Sequence, residues 1–322
     1  MTTIGIVGAG AWGTALAQVA AAAGNNTRLW GRDQELIDTM IQAGQNVRYL
    51  PDVPLLPEIA PTALMTDLAD CDLLVIVVPA QATRAILAAL RPVIRNNAAL
   101  LLAAKGVEQK TLALMSEVAA QELPGHSCAV LSGPTFAGEV ARGLPTAVTL
   151  ASATLTRAEA LAAQLGTRSF RPYASDDPIG AEIGGAVKNV LAIACGIVEG
   201  LGLGENARSA LITRGLAEVT RLAVAKGGRP ATLMGLSGLG DITLSCNSRQ
   251  SRNFSLGYCV ASGESRSSLL TEGYYSAPAV LGLAKSLNVE MPICEAVHAV
   301  LHDGAALAPQ IERLLSRPLR NE

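Results

Sequence analysis

Lysine is scarce in this 322-residue chain: of 25 basic residues, 20 are arginine and five are lysine (Lys105, Lys110, Lys188, Lys226 and Lys285). Where a chain so biased keeps a lysine in an apolar or glycine-rich setting, the need for a compact ammonium with a tunable pKa is one physical reason. Lys188 lies in Gly184-Gly185-Ala186-Val187-Lys188-Asn189-Val190-Leu191-Ala192. On a helix it shares a face with Gly184 and Gly185 before it and Leu191 and Ala192 after it, a small apolar stripe that another element should approach closely. A charge there is costly unless it is used, the alternative being a side chain that snorkels to a domain surface. Lys105, in Ala103-Ala104-Lys105-Gly106, falls at the carboxyl end of a predicted buried strand, the edge at which doubly wound sheets bind ligands.

Further groups suit an anionic substrate. The segment Leu131-Ser132-Gly133-Pro134-Thr135-Phe136-Ala137 reads as a strand running into a turn, so Gly133 and Thr135 line the same crevice as Lys105. Met234-Gly235-Leu236-Ser237-Gly238-Leu239-Gly240-Asp241 is a glycine-rich approach to one carboxylate, or simply a turn and cap. Ser251-Arg252-Asn253 precedes a helical stretch near Phe254, bringing a cap, a guanidinium and an amide to a helix N-terminus that attracts phosphate. His298 and His302 have the i, i+4 spacing of metal ligands, but no third ligand accompanies them, so no metal is expected.

These groups must be held by a cofactor-binding frame. Gly8-Ala9-Gly10-Ala11-Trp12-Gly13 fits G-x-G-x-x-G directly after a β-branched run and before a helix, the context that makes the motif a dinucleotide loop. Gly8 permits the turn, Gly10 lets backbone N–H groups reach a pyrophosphate, and Gly13 lets the helix pack on the sheet. About 20 residues on, an acidic residue selects NAD and an arginine accommodates the 2′-phosphate of NADP. Here the residues are Gly31-Arg32-Asp33, which favours NADPH through Arg32 and leaves NADH open through Asp33.

Strands are predicted over 4–7, 27–30, 73–78, 99–103, 129–131, 147–150 and 169–172, with helices over 12–23, 81–94 and 112–122 among them. The alternation implies crossovers and a mainly parallel α/β Rossmann-like doubly wound sheet. Residues 45–61, with four prolines, read as a long irregular connection. Beyond Ser175-Asp176-Asp177-Pro178 the apolar runs are long, alanine-rich and helical in period. The expectation is a Rossmann domain over 1–180 and an all-α substrate domain over 181–322.

Hydrophobic residues make up 50% of the chain, yet its apolar runs, 73–78 among them, are far short of the roughly 18 residues of a membrane span. The start lacks a basic segment and an unbroken apolar one, which argues against secretion. Net charge is −2 without a like-charged block, which excludes broad attraction to nucleic acid. The six cysteines form no C-x-x-C pair and read as reduced, packed thiols of a cytoplasmic protein.

Together these residues resemble the bacterial NAD(P)-dependent sn-glycerol-3-phosphate dehydrogenases. The resemblance runs through the glycine loop continued to Ala17, Lys105-Gly106, Ser132 to Ala137, Val187-Lys188-Asn189-Val190, Leu211-Ile212-Thr213-Arg214-Gly215, Gly238 to Asp241, Ser251-Arg252-Asn253 and Thr271-Glu272-Gly273. It implies a usually dimeric enzyme that reduces dihydroxyacetone phosphate to glycerol 3-phosphate for phospholipid synthesis, with Lys188 as proton donor and acceptor. It puts substrate contacts on Lys105, Gly133, Thr135, Asp241, Ser251, Arg252 and Asn253, and cofactor contacts on Ala11, Trp12, Arg32, Lys105, Ala137, Arg252, Leu270 and Glu272. Ala11 and Thr135 stand where serine is common in the family, Leu270 where valine is, and the stretch between Tyr258 and Leu270 is short. Two rival readings of the residues are a β-hydroxyacid dehydrogenase, which also carries a helical lysine beside a Rossmann domain, and a non-catalytic dinucleotide sensor.

Overall fold

The computed structural model describes residues 2–264 and 271–316. One sheet in the order β3-β2-β1-β4-β5-β6-β7-β8 organises the first half. Its strands are β1 (Thr3–Val7), β2 (Asn26–Trp30), β3 (Ile59–Thr62), β4 (Leu73–Ile76), β5 (Ala99–Leu102), β6 (Cys128–Ser132), β7 (Thr146–Ser152) and β8 (Phe170–Ser175). All pairs are parallel except β6 with β7. Central strands covered on both faces need no polar alternation, which is why β4 is Leu-Leu-Val-Ile and wholly buried. Helices α1 (Ala11–Ala22), α2 (Gln34–Ala43), α3 (Thr83–Leu90), α4 (Met115–Glu122), α5 (Ala137–Ala141) and α6 (Leu155–Leu165) make the crossovers. The strand order reverses at β1 and β4, so the crevice beyond their carboxyl ends is the switch point where such sheets take ligands.

Three local expectations are corrected. The connection over 45–61 ends in a true strand, because β3 is at the sheet edge, where Pro61 costs no ladder bond that the sheet needs. The helix expected over 81–94 opens as a 3-10 turn, Ala80–Ala82, and α3 stops at Leu90. The helix expected over 112–122 begins at Met115, since Val107 bridges Leu114 and Leu112 takes φ +60°, closing a loop after Lys105.

The second half is helical: α7 (Pro178–Gly200), α8 (Glu205–Lys226), α9 (Pro230–Leu233), α10 (Asp241–Cys246), α11 (Arg252–Ser262), α12 (Glu272–Ser286), α13 (Pro292–His302) and α14 (Leu307–Leu315). Asp177 starts α7 by accepting the N–H of Gly180 at 2.9 Å while Pro178 supplies a preset first turn. Asp177 also accepts from Arg229 N (2.8 Å) and Thr232 Oγ1 (2.6 Å), pinning α9 to that end. Residues Gly180 to Val198 of α7 are all buried, and the other helices pack around them. Helix α7 is long and apolar enough to cross a membrane, but it is enclosed by protein along its whole apolar window. It meets α11 backbone to backbone: a Cβ on Gly257 would sit 1.9 Å from the Ile193 carbonyl oxygen.

Two buried glutamates cap helices that begin on residues unable to cap themselves. Helices α4 and α13 follow Leu114 and Met291. Glu182 of α7 accepts Ser116 N at 2.8 Å and Ser116 Oγ at 2.5 Å, and Glu218 of α8 accepts Ile293 N at 2.9 Å. Burial pushes both carboxyls up to about 7, against the pull of those hydrogen bonds. A carboxyl raised above its ordinary 4.5 keeps its proton in the fold while the unfolded chain has lost it, so its contribution to stability declines between about pH 5 and 7. The variant Glu218→Gln, fixed in the neutral form, should therefore gain on the parent as pH rises from 5 to 8, by up to about 2 kcal/mol. Urea unfolding midpoints across that range measure it, and a constant difference would show that Glu218 does not titrate there.

Candidate active site

The glycine loop leaves β1 at Gly8, whose φ of +126° only glycine adopts freely, and α1 begins after Gly10. Gly13 has no room for a side chain, since a Cβ would lie 1.7 Å from the Gly8 carbonyl oxygen. Gly10 faces open space, and α1 has neither a side-chain cap nor an acidic residue in its first turn. Its first N–H groups, with Ala11 and Trp12 at the mouth, thus form an uncontested anion cradle that fits a dinucleotide pyrophosphate. Asn46, fully buried in the connection after α2, braces the loop by donating to Ala9 O (3.0 Å) and Thr14 Oγ1 (2.8 Å).

Beyond β2, Arg32 is exposed and makes no hydrogen bond or ion pair among the described residues. Its neighbour Asp33 is occupied, accepting the Leu36 N–H at the start of α2 (3.2 Å) and pairing with Arg48 (2.7 Å). Those two partners, the N–H first, hold its carboxyl below the usual range.

The centre of the site is Asp241, the first residue of α10 and fully buried. Its Oδ2 accepts from Lys105 Nζ at 2.6 Å and its Oδ1 from Lys188 Nζ at 2.9 Å. Lys188 also donates to Ser245 Oγ (2.7 Å) and Lys105 to the Gly133 carbonyl (2.9 Å). Burial would raise the Asp241 carboxyl, but the two ammoniums outweigh it and keep it ionised. Lys105 moves the other way: burial, with the charge of Lys188 adding to it, brings its ammonium down to about 8 although Asp241 opposes. The lysine side chains are 14% and 11% exposed, so each keeps a narrow opening to the crevice. Gly185 permits the approach, for a Cβ there would come 2.8 Å from Ser132 Oγ and press on the Lys105 stem. Thr135, half-buried, turns its hydroxyl onto the Gly133 carbonyl (3.2 Å).

The third wall is the start of α11. Ser251 Oγ caps the helix at Phe254 N (3.3 Å), and Arg252 is exposed. The Asn253 side chain turns inward, donating to Asn189 Oδ1 (2.9 Å) and accepting from Gly273 N (2.8 Å). This amide bridge fixes α11 and α12 against the residue next to Lys188. Glu272, at the start of α12, has its carboxyl pushed up to about 7 by burial, in spite of the nearby Arg252 charge and the Ala80 N–H it accepts. Ala137 begins α5 beside the crevice. Leu270 lies outside the described residues.

Asn46 and Ser245 do not figure in the sequence analysis, and Asn189 figures there only as a member of the Lys188 segment, with no role of its own. Ser245 could have been found as the i+4 neighbour of Asp241, and Asn189 by its place beside Lys188. Asn46 had no local signal. The pair His298 and His302 is stacked at 4.9 Å, and the His302 Nε2 is engaged with the Tyr274 carbonyl at 2.9 Å.

Comparison with known proteins matches residues 3–158 to the N-terminal part, and 177–312 to the C-terminal part, of NAD-dependent glycerol-3-phosphate dehydrogenase. The chain belongs to that family. A relative from Caulobacter vibrioides named glycerol-3-phosphate dehydrogenase, NAD(P)+, is 53% identical, with 99% of this chain and 98% of that protein aligned. Among solved structures, the glycerol-3-phosphate dehydrogenase of Coxiella burnetii superposes with a TM-score of 0.94 at 41% identity, covering 98% of this chain and 99% of its own. That of Plasmodium falciparum has a TM-score of 0.87 at 22% identity over 99% and 96% of the two chains and attests the fold.

In this family member the buried triad yields a direct stability test. Replacing Asp241 by asparagine leaves two ammoniums facing each other without a counter-charge, a change that costs about 3 kcal/mol for a buried pair. Without Asp241 the Lys105 ammonium falls below the value of about 8 that it has beside that carboxylate, so the loss in Asp241→Asn should be largest at acid pH, where both ammoniums keep their protons, and shrink towards pH 8. Chemical unfolding at pH 5 and pH 8 reads both, and an unchanged midpoint at pH 5 would contradict an ionic triad.

Proposed function

We propose that this chain reduces dihydroxyacetone phosphate to sn-glycerol 3-phosphate with a nicotinamide dinucleotide, in the cytoplasm and as a homodimer, for glycerophospholipid synthesis. The observation that carries the reading is the Lys105–Asp241–Lys188 triad, tied through Asn189 and Asn253 to a helix N-terminus bearing Arg252. That combination suits a small ketone with a phosphate at one end. Residues 1–180 supply the cofactor half and 181–322 the substrate half, with Lys105 reaching across. Six free thiols among the described residues accord with a reducing compartment.

In this reading Gly8, Gly10, Ala11, Trp12 and Gly13 hold the pyrophosphate, Arg32 the 2′-phosphate of NADPH, and Lys105, Ala137, Arg252, Leu270 and Glu272 the rest of the cofactor. NADPH is preferred because Arg32 is unengaged while Asp33, the group that would select NADH, is committed to a helix cap and to Arg48. The bound nicotinamide supplies the hydride that reduces C2. Lys188 points its ammonium at the ketone oxygen and gives it a proton as charge develops, and Asp241 keeps that ammonium charged. Ser245 accepts a second of the ammonium hydrogens. Lys105, with Gly133 and Thr135 beside it, holds the carbonyl and hydroxyl end. Arg252, with Ser251 and the first N–H groups of α11, holds the phosphate, whose binding energy orients the reacting carbon, and Asn253 acts on it by fixing that helix start in place. The two rival readings gain no support, since both halves of the chain match one family.

NADPH oxidation should depend on dihydroxyacetone phosphate and be faster than NADH oxidation. In Lys188→Ala turnover should fall by about three orders of magnitude, the scale of a lost acid that also stabilises charge, with the Kd for NADPH kept. Near-normal turnover would remove Lys188 from the chemistry. Arg32→Ala should raise the KM for NADPH about tenfold, the worth of a charge-assisted bond, and leave that for NADH unchanged; equal effects on both would refute 2′-phosphate recognition.

A further inference from the structure

Lys105 is carried by a loop, not by the sheet, and something must hold that loop to the tolerance a hydrogen bond of 2.6 Å demands. The sheet's last bond on β5's path is Ala103 N to Ile76 O, two residues before the lysine. After it, the Gln81 side chain takes over. Gln81 sits in the 3-10 turn Ala80–Ala82 that follows β4, at the switch-point crevice. Its Nε2 donates to the Val107 carbonyl at 2.8 Å and its Oε1 accepts the Gln109 N–H at 3.0 Å. The carboxamide thereby pairs with backbone on both sides of Glu108, as a neighbouring strand would.

The contact leaves no slack. A Cβ on Gly106 would lie 2.6 Å from the Ala80 methyl, so the residue after Lys105 is flush against the same turn. From the loop, Gln109 Nε2 continues to the Tyr275 carbonyl of α12 at 2.8 Å. On the far side Arg84 grips Glu108 with two bonds of 2.8 Å. Gln81 is therefore the link between the end of β4, where the cofactor half of the crevice lies, and the loop that aims Lys105 at Asp241.

We propose that Gln81 is a positioning residue of the reaction, whose carboxamide sets the place of Lys105 against Asp241 and Gly133. The proposal rests on the substrate-holding role of Lys105 given above. Displacing that ammonium by about 1 Å breaks its short bonds, and misplacements of that size cost up to about a hundredfold in rate.

The test compares Gln81→Ala, Gln81→Glu, Lys105→Ala and the double variant Gln81→Ala/Lys105→Ala, using dihydroxyacetone phosphate and NADPH with the full chain. Gln81→Ala should raise the KM for dihydroxyacetone phosphate about tenfold or more and lower kcat, and should shift the KM for NADPH no further than Lys105→Ala does. Gln81→Glu keeps size and one acceptor but sets an oxygen against the Val107 carbonyl, so it should be as impaired while melting near the parent. In the Lys105→Ala background, removing Gln81 should cost nothing further, the non-additivity expected when one residue acts through another. Equal cost in both backgrounds, or a rise confined to the KM for NADPH, would overturn the proposal. If Lys105→Ala alone leaves ketone kinetics intact, the reading of Lys105 fails; a defect persisting in Gln81→Ala would then overturn positioning through Lys105 as well.

Discussion

A carboxylate with no exposure to water cannot stay ionised alone, and Asp241 stays ionised because two ammoniums from different parts of the chain converge on it. Much of the architecture serves that convergence. Lys105 arrives from just beyond β5, Lys188 from the buried middle of α7, and Asp241 from the start of α10. The arrangement can exist only if α7 lies against the carboxyl end of β6, which Gly185 allows. The charge sum of the three groups, one negative and two positive, leaves the site with a surplus positive charge facing the crevice. Such a site welcomes a polarised ketone and the alkoxide that forms from it, without waiting for solvent to reorganise.

The same logic of paying for buried charge recurs away from the site. Glu182 and Glu218 are also enclosed, but among the described residues neither forms an ion pair; each is met by backbone N–H groups at the start of another helix. A helix N-terminus offers partial positive charge, weaker than an ammonium. The consequence differs accordingly: Asp241 is held low and the two glutamates are held near 7. In both cases α7 or its immediate neighbour α8 supplies a side chain that fixes a remote element, so the long helix is at once core and frame.

What the sequence made legible was local in origin. The glycine loop is three glycines within six residues, and Lys188 betrayed itself by its position on a small apolar stripe. Arg32 and Asp33 could be assigned opposite tendencies from the general pattern of such folds, but only the structure shows Asp33 already spent on the α2 cap and Arg48. The features that escaped are those decided by residues far apart in sequence. Strand β3 hid behind prolines because edge position is a property of the sheet. Asn46 and Ala9 are 37 residues apart, and nothing in either segment announces the hydrogen bond between them. Asn253 was legible as part of an anion site, yet its carboxamide turns towards Asn189, 64 residues earlier, and leaves the open face of α11 to Arg252 and the backbone.

This difference bears on how the two lysines divide their work. Both touch Asp241, but their other partners are unlike. Lys188 has a hydroxyl, Ser245 Oγ, which can accept one hydrogen and adapt as the charge on its neighbour changes. Lys105 has a fixed carbonyl, that of Gly133, and is held in a loop by Gln81 and Arg84. A group that must pass a proton gains from a partner able to reorient, and a group that must hold a substrate oxygen gains from one that cannot. The geometry therefore suits the proposed division, proton transfer from the helix and grip from the loop, and one buried carboxylate contacts both ammoniums.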